Sequence, residues 1–166
     1  MSDPTTIDKA AIAIGAPHPR FNQLGLDEAE LRPANSVDYI YCTGIDVLTN
    51  PELRRVLAIA IRVLRPEGVI RVVTQDLDAI VYSYLLGPPG VLPTGITRAQ
   101  QFNQWRKSTT AQFVFNEEDL RAELEAAGFV DIWRLTAGAS SVEIFIDCEP
   151  QGSPALVLEG RKPAAQ

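Results

Sequence analysis

The sequence predicts an α/β fold in which a doubly wound, mostly parallel sheet ends in an antiparallel hairpin. Short apolar runs rich in β-branched and aromatic residues recur along the chain, as expected of buried parallel strands. Between the later runs, apolar residues return at steps of three and four, which is the period of an amphipathic helix. Strands that alternate with helices and finish as a strand pair indicate this fold class.

The first strands are short. Residues 11–15, AIAIG, form an apolar run that stops at a glycine, and residues 36–42, SVDYIYC, form a second. Residues 21–26, FNQLGL, predict a weaker strand between them.

A helix and a central strand come next. Residues 50–64 have helical spacing, with Asn50 as the expected cap, and Pro66 disfavours helical dihedrals at the residue before it. The helix is therefore expected to end near Arg65, at a turn completed by Gly68. The run VIRVVT, residues 69–74, then predicts a buried strand.

Three further helices and the closing strands complete the chain. Residues 75–86 predict a helix that a loop follows, and residues 97–108 predict a polar helix. A third helix begins at its cap Asn116 and ends at Gly128, which suits a left-handed residue. The expected closing strands are 130–135 and 153–160, with 141–149 as a further strand or an edge hairpin.

Length and composition favour one domain over residues 1–166. A chain of 166 residues with 46% hydrophobic content can bury one core and is too short for two ordinary ones. By composition, residues 1–9 and 162–166 are expected to be flexible.

Charge and hydropathy exclude some partners. The chain has 15 Lys and Arg against 21 Asp and Glu, a net charge of −6, which argues against nucleic acid and anionic membranes as partners. No apolar run approaches the ~20 residues that span a bilayer. The opening MSDPTTIDK is unlike a signal peptide, so neither membrane insertion nor export is expected.

Cysteine and histidine usage predicts no metal site and no catalytic triad. Cys42 and Cys148 are far apart and lack the spacing of a zinc site or a disulfide framework, which favours a reducing, cytoplasmic compartment. The only histidine, His18, lies in a PHP turn without a serine elbow or a cysteine nearby in sequence. No catalytic residue is therefore assigned.

The order of motifs resembles a known family. The segments NSVDYIY, LRRVLAIAIRVLRPEGVIRVVTQDLDAIVYSY and FVFNEEDLRAELEAAGFVDIWRL are similar to class I S-adenosylmethionine-dependent methyltransferases, in particular the small predicted bacterial ones found with saccharide-building enzymes. The resemblance extends over residues 36–160. It implies a Rossmann-like sheet, S-adenosylmethionine as cofactor, and methyl transfer to oxygen or nitrogen of a small molecule or saccharide.

The resemblance also assigns cofactor positions in the amino-terminal half. Gly15 and Ala16 stand where the family's glycine-rich turn follows the first strand, but the second glycine is absent. Asp27 is the candidate for the acid that binds the ribose, although Gly25 fits that position nearly as well and a solvated carboxylate is an equal alternative. Gly44 lies in the stretch YCTGIDVLTN, where the family has histidines and a glutamate.

This half of the sheet is expected to be trimmed. Residues 28–35 give little room for the strand that the family places before the one at 36–42. Pro17 and Pro19 also remove two backbone N–H donors from the turn after the first strand.

A substrate cleft is expected where the strand at 69–74 ends. Asp76 and Asp78 follow that strand, and helix capping is the more frequent role of such residues. Trp105 and Arg106 lie in the stretch that borders the active cleft in the family, and core packing is at least as good an explanation for Trp105.

Two functions stay open from the sequence. The chain is either an active methyltransferase with a small-molecule acceptor, or a methyltransferase-like pseudoenzyme that has lost the cofactor and serves as a binding or scaffold subunit for a protein partner.

Overall fold

A computed structural model describes residues 11–87 and 95–165. Their sheet has six strands in the order β2-β1-β3-β4-β6-β5. The strands pair in parallel from β2 through β4, whereas β6 is antiparallel to both β4 and β5. The predicted fold class is confirmed. The strands are β1 (Ala11–Ile14), β2 (Asn22–Gln23), β3 (Val37–Thr43), β4 (Leu64–Gln75), β5 (Val130–Leu135) and β6 (Ala155–Arg161).

Five α-helices and two 3₁₀ turns connect these strands in the described residues. The cap of the second helix lies one residue earlier than predicted, at Thr49, because the Glu52 carboxylate accepts from both the backbone N–H and the hydroxyl of Thr49. The helices are α1 (Leu26–Leu31), α2 (Asn50–Val63), α3 (Leu77–Leu86), α4 (Arg98–Ser108) and α5 (Glu117–Ala126), and the 3₁₀ turns are Ile45–Val47 and Glu143–Phe145.

One face of the sheet packs against helices. Alternate residues of the strands, among them Ile40 and Ile70, point to this face and are fully buried there. Leu57 of α2 and Leu124 of α5 belong to the same apolar cluster. The amphipathic spacing seen in the sequence therefore places the larger core between these helices and the sheet.

The loop between β5 and β6 covers an apolar cluster on the other face. Phe145 is fully buried there, and its ring centroid lies 5.8 Å from those of Phe21 and Tyr39. The strand or hairpin predicted for residues 141–149 is wrong. This segment instead makes the 3₁₀ turn Glu143–Phe145. The Phe145 ring packs among the aromatic rings on the sheet and holds the segment there, so no strand pairing is needed.

A buried ion cluster fixes the same loop. The guanidinium of Arg71 on β4 donates to both carboxylate oxygens of Glu149, at 2.9 and 2.5 Å, and to Glu159 on β6 at 2.6 Å. It also donates to the Ala139 carbonyl, and the backbone N–H of Gly138 donates to Glu149. The four bonds of Arg71 join the loop and β6 to the middle of the sheet, and the bond from Gly138 holds Glu149 within the loop.

The amino-terminal half is trimmed, as predicted. Residues 15–21 join the parallel strands β1 and β2 without a helix, although such crossovers usually contain one. Aromatic rings lie over the sheet here instead, with Phe21 stacked on Tyr41 at 5.1 Å and His18 tilted against Tyr41 at 5.0 Å. Between α1 and β3, residues 32–36 form no strand.

The residues predicted to form a turn, 65–68, belong to strand β4. This strand starts directly after α2, and the turn is a bulge in which Glu67 has φ +64° and the pairing with β3 shifts register.

The chain ends are partly described. Residues 1–9, predicted to be flexible, lie outside the described residues. In the other predicted flexible segment, 162–166, the Lys162 ammonium donates to the Leu64 carbonyl and to the Asn35 side chain, each at 2.7 Å. None of the helices in the described ranges is long and apolar enough to cross a membrane.

Candidate functional site

The candidate site lies at the carboxyl ends of β1, β3 and β4. The chain leaves β1 toward β2 on one side and leaves β3 toward β4 on the other, so the strand order reverses between β1 and β3. Ligands of open α/β sheets bind at such a reversal. Two cavities open here, and the turn Ile45–Val47 contributes to the lining of both.

The first, which we call the switch-point cavity, has a volume of about 310 Å³. It lies between the ends of β1 and β3 and the start of α1. Its lining is mostly apolar side chains and backbone, and it includes Ile14, Gly15, Gln23, Gly25, Thr43 and Gly44.

Gly15 lines this cavity but is closed onto β3. Its φ is +103°, and a Cβ at this position would lie 1.9 Å from the carbonyl oxygen of Thr43. The next backbone N–H, that of Ala16, donates to the Thr43 hydroxyl at 2.9 Å. Glycine is therefore required here by the neighbouring strand, and the Ala16 N–H already has a partner within the protein.

Gln23 occupies the end of β2, where the resemblance implies an acid. Its side-chain amide donates to the Gly15 carbonyl at 2.8 Å, and the residue lines the switch-point cavity. Gln23 was not among the predicted site residues, because the ribose position was assigned to Asp27, beyond the second strand. The available signal was the strand end itself.

Asp27 is not among the residues that line the cavity. It lies in the first turn of α1 with its carboxylate 92% exposed, and it pairs with Arg55 at 3.4 Å. An ion pair this exposed contributes little to stability. Gly25, the alternative for the same position, does line the cavity.

Gly44 faces open space within the switch-point cavity. Its φ of +69° is left-handed, and a Cβ added there would meet no atom within 4 Å. Among the predicted cofactor residues, Gly15 and Gly44 thus line the same cavity, and Ala16 is adjacent to it.

The second cavity, of about 570 Å³, lies between α3, α4 and the end of β4. We call it the aromatic cavity, because the rings of Tyr84, Phe102 and Trp105 line it. The Phe102 centroid lies 5.8 Å from that of Tyr84 and 5.4 Å from that of Trp105.

Asp76 lines the aromatic cavity and also caps α3. It is 4% exposed, and one carboxylate oxygen accepts from the backbone N–H groups of Asp78 and Ala79 at 3.0 and 3.4 Å. The other accepts from Arg134 at 2.7 Å. Asp78 is exposed and does not line the cavity. Asp76 therefore both caps α3 and lines the cavity.

Trp105 also lines this cavity, whereas Arg106 is exposed and outside it. The Trp105 indole N–H donates to the Gln75 side-chain oxygen at 3.1 Å. The Gln75 amide nitrogen donates in turn to the Asp46 carboxylate at 2.8 Å and to the Thr109 hydroxyl at 3.1 Å. Asp46, Gln75 and Trp105 thus form a hydrogen-bonded chain along one end of the cavity.

Tyr84, Phe102 and Gln75 were not among the residues predicted to line the cleft. The signal for Phe102 was its position three residues before Trp105 in an otherwise polar helix, which places both rings on one side of α4. Tyr84 could not be recognised, because α3 is apolar along most of its length.

The site offers no reactive thiol, and the described residues offer no metal cluster. Burial raises the pKa of Cys42, in the switch-point cavity, to about 12. Burial also raises the pKa of Cys148. Among residues 11–87 and 95–165, no three His, Cys, Asp or Glu side chains are grouped so as to hold a metal ion.

Comparisons with known proteins give a likeness of fold. No family model matches the sequence, and no curated protein is similar to it. A SAM-dependent methyltransferase from Archaeoglobus fulgidus superposes with a TM-score of 0.53 at 13% identity over 86% of this chain and 68% of that chain.

Two further structures have similar scores. One comes from the Haloferax volcanii complex between the Trm112 methyltransferase activator and a methyltransferase. The chain matched there superposes with a TM-score of 0.52 at 12% identity, over 89% of this chain and 64% of that one. The S-adenosylmethionine-dependent methyltransferase SibL in its apo form gives 0.53 at 16% identity, over 87% and 36%. This chain thus spans between 36% and 68% of the lengths of these three proteins. It has the Rossmann-like fold of S-adenosylmethionine-dependent methyltransferases.

Proposed function

We propose that the chain is a methyltransferase-like binding protein that takes a small molecule in the aromatic cavity and does not hold S-adenosylmethionine in the manner of the fold family. The observation that supports this proposal is the closure of Gly15 and Ala16 onto Thr43. A glycine turn that serves a cofactor leaves backbone N–H groups free to approach it, and here the Ala16 N–H donates to the protein itself.

The other cofactor contacts that the resemblance implies fit this chain poorly. An amide, Gln23, ends β2 in place of a carboxylate, and it donates to Gly15. In the family, the strand that precedes the equivalent of β3 usually ends in a residue that contacts adenine. Residues 32–36 form no such strand here. The residues present therefore do not form the expected cofactor site.

The aromatic cavity supports the binding half of the proposal. Its volume of about 570 Å³ is within the range of small-molecule sites, and its apolar walls carry a few polar groups that could orient a ligand. A protein partner is the other occupant to consider, since one structural neighbour is a methyltransferase in complex with an activator protein.

An active methyltransferase is the second candidate, and Gly44 favours it. A left-handed glycine facing open space beside the ends of β1 and β3 is a position where backbone could approach a ligand closely. Methyl transfer needs mainly the alignment of two reactants and exclusion of water, so the absence of an assigned acid or base does not argue against it.

Titration with S-adenosylmethionine and S-adenosylhomocysteine separates the two candidates. The full chain is measured by calorimetry and by thermal unfolding, beside the variants Gly44→Asn and Gly152→Asn. Both glycines have left-handed φ and open space around the missing Cβ, and asparagine tolerates that backbone, but only Gly44 lines the switch-point cavity.

We expect neither ligand to bind or to raise the unfolding temperature at millimolar concentration. A ligand at about 100 times its Kd would add about 2.7 kcal/mol of stability, which such a measurement detects. Saturable binding that Gly44→Asn abolishes and Gly152→Asn preserves would contradict the proposal and favour the second candidate.

A further inference from the structure

The aromatic cavity carries charged side chains at its two ends, and most of the surface between them is apolar. α3 and α4 run in opposite directions along the cavity, as two hydrogen bonds show. Trp105, near the end of α4, donates to Gln75 just before α3. Arg98, at the start of α4, donates to the Leu85 carbonyl near the end of α3. Gln75 and Leu85 are separated by about the length of α3, roughly 15 Å at 1.5 Å per residue.

The two carboxylates lie at the Trp105 end. The charge of Asp76 is compensated by Arg134, which donates to it at 2.7 Å. Asp46 differs: its carboxylate accepts from the neutral amide of Gln75, and it makes no ion pair within residues 11–87 and 95–165. Residues 88–94, PPGVLPT, contain no charged side chain. Asp46 therefore gives this end of the cavity a negative charge that no cation of residues 11–87 or 95–165 balances in an ion pair.

Aromatic rings line the cavity between its two ends. Tyr84 and Phe102 are 42% and 38% exposed, although both are large and line a concave surface. The faces of such rings attract cations as well as apolar groups. Arg98, the one cation among the described lining residues, donates to the Leu85 carbonyl at the opposite end.

From this arrangement we infer that the aromatic cavity binds a small organic amine in its protonated form. The ammonium group lies against Asp46 and the Trp105 ring, and an apolar body lies against Phe102 and Tyr84. The inference rests on the proposed function, since it names the class of small molecule that the cavity takes. A saccharide also stacks on aromatic rings, and its hydroxyls donate hydrogen bonds to a carboxylate, but it brings no positive charge to balance that of Asp46.

Tryptophan fluorescence tests the inference on the full chain. The sequence has two tryptophans, and Trp133→Phe removes the one on the exposed edge strand, so that Trp105 alone reports. The probes are phenethylamine, the neutral 2-phenylethanol, the anionic 3-phenylpropionate and methyl α-glucoside. They compare an ammonium, a hydroxyl and a carboxylate on similar apolar bodies with a sugar.

We expect phenethylamine to change the fluorescence saturably with a Kd at least about tenfold below that of the alcohol. Asp46→Asn keeps an oxygen that accepts from the Gln75 amide but removes the negative charge. It should therefore abolish the preference for the amine without weakening the binding of the alcohol. Asp78→Asn, an exposed neighbour outside the lining, should leave both affinities unchanged. Phe102→Leu keeps an apolar side chain but removes the aromatic ring, and it should weaken the binding of the amine more than that of the alcohol.

The possible failures are distinguishable. Equal affinity for amine and alcohol, a preference for the carboxylate or the glucoside, or an unchanged preference in Asp46→Asn would overturn the amine inference while the cavity would still bind small molecules. If none of the four probes alters Trp105 fluorescence, the binding half of the proposed function fails as well.

Discussion

The guanidinium of Arg71 makes a bidentate ion pair with the carboxylate of Glu149, with both side chains buried between the sheet and the loop that joins β5 to β6. Arg71 is fully buried, and burial alone would lower its pKa. The hydrogen bonds and charges of Glu149 and Glu159 more than offset that effect and raise the pKa of Arg71. The loop is thus attached to the sheet by a cation that stays charged.

Replacing this arginine should destabilise the protein strongly. Arg71→Met leaves two buried carboxylates without their cation, and removing one partner of a buried ion pair typically costs about 3–5 kcal/mol. Urea denaturation of the variant measures this cost. Arg65→Met, which breaks the more exposed pair with Asp38, is the control and should cost about 1 kcal/mol or less. Equal costs for the two variants would show that the buried cluster does not stabilise the fold.

Acid should weaken the same cluster. Burial acts to raise the pKa of Glu149, but the hydrogen bond from Arg71, the Gly138 N–H and the charge of Arg71 together lower it. Because the folded pKa is below the unfolded value of about 4.3, the contribution of Glu149 is complete above that pH and is lost as the pH falls through the folded pKa.

We therefore expect the free energy of unfolding to fall with pH below about 4.3 in the wild type and to fall less steeply in Glu149→Gln. Urea denaturation in a series of acidic buffers measures both slopes. Glu118→Gln, on the exposed side of α5, is the matched control. Indistinguishable slopes for wild type and Glu149→Gln would contradict the assignment.

Gly15 should tolerate no side chain, whether or not a ligand is present. In Gly15→Ala the new methyl group would lie 1.9 Å from the Thr43 carbonyl oxygen on a backbone with φ +103°, so β1 and β3 must separate. We expect a loss of at least about 1–3 kcal/mol in thermal or urea unfolding. Gly25→Ala has φ −65° and an ordinary 3.5 Å contact with Glu28, and it should be nearly neutral. A stable Gly15→Ala variant would mean that the turn is open after all.

Phe145 should behave as a core residue although it lies in a loop. Truncation to alanine empties a fully buried site among the rings of Phe21, Tyr39 and Tyr41, and such changes cost about 3–5 kcal/mol. Ile146→Ala, at a neighbouring position that is 41% exposed, is the control for loop effects. A cost for Phe145→Ala no larger than that of the control, measured by urea denaturation, would refute the role of the ring.

The sequence predicted most of the sheet and the helices because local signals and long-range packing agree there. Asn116 accepts from the Asp119 N–H, and Gly128 ends α5 with φ +98°, as the residue types indicated. The segment around Phe145 was misassigned because its alternating apolar residues resemble a strand. Its structure depends on rings and ions contributed by distant strands, which local spacing does not reveal.

The site was predicted less completely than the fold. Gly15, Gly44, Asp76 and Trp105 were assigned to the site from the sequence and line cavities in the structure, while their roles toward a ligand stay predictions. The role of Gln23 depends on where β2 ends, and that of Asp46 depends on a bond to Gln75 on another strand. The environment of these two side chains is set by strand register and tertiary contact, which a single sequence does not specify.

The way in which the β5–β6 loop covers the sheet has a practical consequence for engineering. Surface connections normally accept insertions, purification tags and fused domains. Here Ala139, Phe145 and Glu149 contact the sheet at fixed positions along the connection, so that an added residue between them would displace at least one of these contacts. Length changes in this stretch should be as harmful as changes within a central strand, and fusions are better made elsewhere.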